Sequence, residues 1–129
     1  MNNLIQLLKD LVNNNPVGNP FSAAILNIKT GKSYCAVNEV YSGDPTAHAE
    51  IVAIRNLKKT GYNPEDCIII SSGAPCPMCL AAIAWAGIKE VRYIYSYRVA
   101  YYQGFPFDQD CHRVNKLLGL GLNIKQIDE

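Results

Sequence analysis

No apolar run in this chain of 129 residues approaches the length of a membrane span. No stretch repeats, and there is neither a low-complexity tract nor an interdomain linker. Charge of one sign is also scarce: twelve Lys and Arg against eleven Asp and Glu leave a formal net charge of +1. A protein whose main business is a long phosphate backbone usually carries a clear basic excess, so the composition weighs against that class. A secretory leader is not expected, because the N-terminal apolar stretch is broken by Lys9 and Asp10 and lacks a small-residue cleavage site. The five cysteines (Cys35, Cys67, Cys76, Cys79, Cys111) are an odd number. A disulfide framework is therefore not expected, and a reducing, cytoplasmic setting is. With 49% hydrophobic residues the chain reads as one domain, residues 1–129, large enough to bury a single core.

What is present centres on Pro75-Cys76-Pro77-Met78-Cys79. Two cysteines three apart stand where an apolar run, Ile68-Ile69-Ile70, gives way to a helix-like run, Leu80 to Ala86. Pro77 suits a first helical turn, since its φ is already helical and its missing N–H would be unpaired there anyway. Residues at i and i+3 share a helix face, so both sulfurs can point the same way. The helix dipole and the open N–H groups of a first turn favour thiolates, which a soft metal needs. Alone, a C-x-x-C fits either a metal site or a thioredoxin-like redox pair, which also sits at a helix start after a strand. Ligands elsewhere decide, and the upstream stretch Asp44-Pro45-Thr46-Ala47-His48-Ala49-Glu50 offers His48 and Glu50.

Taken in order, Leu4, Leu7, Leu8 and Leu11 predict an amphipathic helix over 3–13, ended by Asn13-Asn14-Asn15-Pro16. Strands are expected over 21–28 and 32–38, joined at Lys29-Thr30-Gly31 as an antiparallel hairpin. Asp44 or Thr46 can cap the next helix with Pro45 at its first position, and Ile51, Ile54 and Leu57 give it an inner face. His48 and Glu50 are two apart and do not face each other on a regular helix, so spacing alone would not put both on one metal. A third strand is expected over 66–71, then the cysteine helix, a fourth strand over 89–97, a helix over 109–118 and a fifth strand over 122–127. A helix between strands makes the last three parallel. Tyr93, Tyr95 and Tyr97 alternate along the fourth strand, as core or interface residues do. The long 97–109 loop, with Tyr101, Tyr102, Phe105 and Phe107, can stack a base or cover a partner.

His48-x-Glu50 followed by Pro75-Cys76-x-x-Cys79 resembles the zinc deaminases of nucleobases, in which one His and two Cys bind the metal and the Glu does not. The runs DPTAHAEIVAIRNL and PCPMCLAAIAWAGIKEV extend the resemblance, over roughly residues 20–96, to the guanine deaminase and tRNA adenosine deaminase branch of the cytidine deaminase-like superfamily. That resemblance implies a three-layer α/β/α fold with a mixed five-stranded sheet, a small-molecule nucleobase as substrate and a homodimer. It implies one Zn²⁺ per chain on His48, Cys76 and Cys79, with the fourth position open to water. Glu50 is then the general acid and base. Asn38 matches an asparagine that contacts the substrate base in guanine deaminases, although a turn role is equally open to it. Asp108 stands where the family's loop can deliver an acidic substrate contact, and Trp85 matches a tryptophan of the guanine deaminase motif but is expected to pack the zinc helix. The family's Glu before Pro-Cys is replaced by Ala74, and only Asp128 and Glu129 follow the last strand, where relatives usually continue into helices that help close the site.

Two other readings stay open. An RNA-acting adenosine deaminase would cluster Arg92, Arg98, Arg113 and Lys116, and its tRNA binding would be salt-sensitive. A structural zinc module would instead close the metal with a fourth ligand, Cys111 or His112.

Overall fold

The structure is a computed structural model that describes residues 2–13, 21–95 and 110–127. Its elements are α1 (Asn2–Asn13), β1 (Ser22–Asn27), β2 (Ser33–Val37), α2 (Ala49–Thr60), β3 (Cys67–Gly73), α3 (Pro77–Ala86), β4 (Glu90–Tyr95), α4 (Cys111–Leu118) and β5 (Asn123–Gln126). The five strands form one sheet in the order β2-β1-β3-β4-β5. β1 runs antiparallel to both β2 and β3, whereas β3–β4 and β4–β5 are parallel, as the intervening helices require.

The two-residue period of the strands sorts their side chains into two cores. On one face Ile25, Ile69, Val91 and Ile124 pack with Ala53 and Leu57 of α2, Leu80 and Ile83 of α3, and Cys111 and Val114 of α4. On the other, Ala24, Ile70 and Ile94 meet Leu4 and Leu8 of α1. Helices on both sides of a mixed sheet give the three-layer α/β/α architecture expected from the sequence. Burying a Leu or Ile side chain of this kind contributes about 1.5–3 kcal/mol. Leu7, expected on the inner face of α1, is 45% exposed, because the helix turns only the stripe of Leu4 and Leu8 fully onto the sheet. None of the described helices is long and apolar enough to cross a membrane.

Two expectations need correction. α2 starts at Ala49 with His48 as its N-cap, not at Pro45 behind Asp44. Asp44 spends its side chain on a turn of its own, accepting from the Thr46 N–H (2.9 Å) and hydroxyl (2.6 Å), and its carbonyl accepts from Ala47 N–H (3.1 Å). Trp85 does not pack the zinc helix: it lies on the outer side of α3 and is 90% exposed. Of the three strand tyrosines, Tyr93 is buried in the core and Tyr95 is half-buried; Tyr97 and the 97–109 loop lie outside the described residues.

Candidate active site

β3 is where the sheet changes direction, antiparallel on one side and parallel on the other, and open α/β sheets bind ligands at the carboxyl ends of such strands. Beyond Gly73 the chain stays extended: Ala74 N–H donates to Tyr95 O at 3.0 Å, and Cys76 caps α3 at φ −74°, ψ 168°. Pro77 follows at the first helical position, as its fixed φ favours. Cys76 Sγ accepts the Cys79 N–H at 3.5 Å, one of the donors that a helix start leaves unpaired.

α2 brings the other half. His48 is its N-cap in extended conformation (φ −63°, ψ 156°), and its ring rather than its cap position carries the chemistry: Nδ1 lies 3.5 Å from Cys76 Sγ and 3.5 Å from Cys79 Sγ. Because His48 stands outside the helix and Glu50 inside its first turn, the two-residue spacing that would separate them on a regular helix no longer does. Glu50 is buried beside both thiols, near enough for the Cys76 charge and the Cys79 thiol to act on its carboxyl. Ile51, Met78 and Ala82 wall the two sulfurs with apolar surface.

The donor set fits zinc. One imidazole nitrogen and two sulfurs lie within 4.8 Å of one another. A tetrahedral ion with bonds of about 2.3 Å to sulfur and 2.0–2.1 Å to nitrogen would set N···S at about 3.6 Å, close to the 3.5 Å found for both sulfurs. The thiols are already biased. Hydrogen bonds from Cys79 and from His48 hold Cys76 down at about 5, against the burial that opposes its charge. Cys79 is pushed well up because it donates to Cys76 and is buried, and His48 is raised chiefly by its bond to Cys76. Burial lifts Glu50 to about 7, with the Cys76 charge adding to it.

The remaining predicted residues divide. Asn38 is buried, and its Oδ1 accepts from Val40 N–H at 2.8 Å, so its oxygen makes the turn while its amide nitrogen remains a donor for other partners. Asp108 lies outside the described residues, as does Arg98. Arg92 is engaged along the β4–β5 edge with Glu90 (3.0 Å), Val91 O and Asn123 O, which removes it from any basic cluster. Cys111 and His112 group with Asp110, not with His48, Cys76 and Cys79, so among the described residues no fourth side chain closes the metal site. The sequence reading missed Arg55, whose Nη1 reaches Asp44 Oδ2 at 3.2 Å and whose Nη2 reaches Thr46 Oγ1 at 3.5 Å; nothing in its helical position announces that contact.

Paired helix N-termini presenting His, Cys and Cys above a mixed sheet, with a buried carboxylate beside them, define a zinc-deaminase type of domain. Residues 2–95 match the family described as the cytidine and deoxycytidylate deaminase zinc-binding region, and the chain belongs to that family. Among its relatives, the guanine deaminase of Bacillus subtilis is 43% identical over 95 residues, 69% of this chain and 58% of that protein. The probable cytosine deaminase of Schizosaccharomyces pombe is 38% identical over 72 residues, 56% of this chain and 44% of that protein. The matched stretches thus span about half the length of these relatives. The crystal structure of the Bacillus subtilis guanine deaminase superposes with a TM-score of 0.71 at 36% identity, covering 89% of this chain and 74% of that one. A guanine deaminase of Nitrosomonas europaea shares the fold with a TM-score of 0.75 at 24% identity, over 95% of this chain and 74% of that one.

Proposed function

We propose that this chain is a hydrolytic deaminase of a free nucleobase or related aminated heterocycle, with guanine, converted to xanthine and ammonia, as the leading substrate. The observation that carries the reading is the buried Glu50 carboxyl beside the three-donor metal site of His48, Cys76 and Cys79. The likeness to a guanine deaminase that is 43% identical over the matched region supports the choice of base.

His48, Cys76 and Cys79 would hold the zinc. The ion supplies a Lewis acid that lowers the pKa of a water in its open position. Glu50 would accept a proton from the attacking water and deliver it to a ring nitrogen, then take the remaining hydroxyl proton as the carbonyl forms and pass it to the departing amino group, which leaves as ammonia. The carbon that bore the amino group ends as a carbonyl, so one water enters and one ammonia leaves. A carboxyl that burial holds well above the ordinary glutamate range in the metal-free site is suited to carry a proton through that task. Asn38 donates from its amide to the base, its oxygen being committed to the Val40 turn.

The expected homodimer fits the outer side of α3, a helix without a polar side chain that leaves Trp85 uncovered. Sedimentation of the wild type beside Trp85→Glu tests it, a dimer that survives the charge ruling that face out.

Ammonia release by the zinc-loaded protein over guanine, adenine, cytosine, their nucleosides and tRNA, with Glu50→Ala as control, tests the activity. Release from guanine alone, lost in the control, is the expected result. Release from tRNA alone would transfer the chain to the RNA-acting reading.

A further inference from the structure

Nine residues, 39–47, separate Asn38 at the end of β2 from His48 at the start of α2. The loop has a neck: Glu39 N–H donates to Ala47 O at 2.9 Å, which fixes the two flanking residues relative to each other. Ala47 is held in turn by Asp44, whose carbonyl accepts its N–H at 3.1 Å, and His48 N–H donates to Thr46 O at 2.8 Å. Both of those residues end on one side chain from the body of α2, the Arg55 guanidinium, with one nitrogen on Asp44 and the other on Thr46. A run of contacts therefore leads from Arg55 through Asp44 and Ala47 to Glu39, next to Asn38. Left unanchored, a loop of this length samples many end-to-end arrangements and must give up that freedom when a ligand needs one of them.

We propose that Asp44, Thr46 and Arg55 form a clamp that positions Asn38 relative to the metal centre, so that affinity for the base depends on an exposed ion pair that never touches it. The inference rests on the reading that Asn38 contacts the substrate base. His48 needs the clamp less than Asn38 does, because α2 itself holds it: Val52 N–H donates to His48 O at 2.9 Å. Losing the clamp should thus loosen base binding and leave the metal in place. Arg55 and Asp44 side chains are 55% and 41% exposed, so salt screens their pairing. The bases concerned are neutral, which leaves the clamp as the salt-sensitive element in their binding. Lysine supplies a point charge to Asp44 but not the second arm to Thr46.

The test is steady-state kinetics on guanine with the zinc-loaded full chain, comparing wild type, Arg55→Ala, Arg55→Lys, Asn38→Ala and the Asn38→Ala/Arg55→Ala double variant. The Arg55→Ala KM is expected to rise about five- to tenfold with kcat within about twofold, the pattern of lost binding rather than lost chemistry. Zinc should stay at one per chain, and Arg55→Lys should recover part of the KM. Wild-type KM should climb between about 0.05 and 0.5 M salt, and that climb should vanish in Arg55→Ala. In the double variant, Arg55→Ala should add nothing to Asn38→Ala, because the two act on one contact. Equilibrium binding of guanine to the same variants in a Glu50→Gln background should give the same ranking without turnover. Additive effects, an unchanged KM, or loss of zinc together with kcat would each overturn the clamp while leaving the deaminase reading intact. If Asn38→Ala itself leaves KM unchanged, the base contact fails and the clamp falls with it.

Discussion

The N-termini of α3 and α4 both gather metal-ligating side chains, and their difference shows what makes a site. At α3 the donors come from two helices, His48 lying 28 and 31 residues before the two cysteines, are largely buried, and converge with Nδ1 at 3.5 Å from each sulfur. At α4 they are three consecutive residues, Asp110, Cys111 and His112, whose ligand atoms also lie within 4.8 Å. Each of those three is already engaged. Asp110 Oδ1 caps the helix through His112 N–H (2.8 Å) and Arg113 N–H (3.4 Å), and His112 Nε2 is bonded to Tyr93 Oη at 3.1 Å. Cys111 is packed into the main core. The N-cap cysteine of α3 and the first-turn cysteine of α4 accordingly move in opposite directions. Cys76, stabilised by donors from Cys79 and His48, falls to about 5, whereas burial and the neighbouring Asp110 charge push Cys111 up to about 11. A helix N-terminus alone does not make a thiolate; donors aimed at the sulfur do.

Substitutions sharpen that contrast, the largest effect coming first. Cys76→Ala should abolish stoichiometric zinc and reduce ammonia release to background, whereas Cys111→Ala should keep one zinc per chain and cost about 1–2 kcal/mol through lost core packing. Metal analysis and urea unfolding separate the two. Zinc in the Cys76→Ala protein at wild-type stoichiometry would erase the distinction between the helix ends.

Glu50→Gln should lower kcat by about 10² to 10⁴ with zinc retained. Metal-free stability should move the other way. The folded carboxyl sits at about 7 and an ordinary glutamate at 4.5, so its favourable share is present below 4.5 and lost as pH rises through 7. A neutral Gln escapes that loss, worth on the order of 3 kcal/mol at pH 8 and nothing at pH 4. A variant no more stable than wild type at pH 8 would contradict the buried carboxyl.

Zinc affinity should itself climb with pH. Above about 5 the Cys76 thiol is already ionised, but Cys79 and His48 are both raised and must release protons to bind the metal. Each proton displaced makes affinity about tenfold stronger per pH unit. A chelator competition that shows a flat profile between pH 6 and 8 would refute this assignment of protons.

Much of this was legible because the chemistry is written locally. Pro-Cys-Pro-Met-Cys shortly after three isoleucines specifies strand, N-cap and first turn within the twelve residues 68–79, and β3 and α3 fall where that pattern puts them. The parallel order of β3, β4 and β5 followed from the intervening helices. What could not be read depended on choices among equivalent local partners. Asp44, Thr46 and His48 can all precede a helix; Asp44 closes a local turn on Thr46 and Ala47, to which Arg55 adds a tertiary contact, and the cap falls to His48. Trp85 was misplaced for a related reason: a helix apolar on all sides gives no periodicity to say which side faces in.

The smallest expected effect probes the α4 end directly. Asp110→Ala removes the side chain that accepts from His112 and Arg113 N–H, and losing such a cap costs about 1 kcal/mol. The urea midpoint should drop with an unchanged slope, since no additional surface is exposed on unfolding. Zinc content and its pH dependence should stay as in the wild type, because no donor of the α3 site is touched. If Asp110→Ala instead weakened zinc binding, the α4 cluster would have to reach the metal centre through Tyr93 and His112, and the two helix ends would form one site.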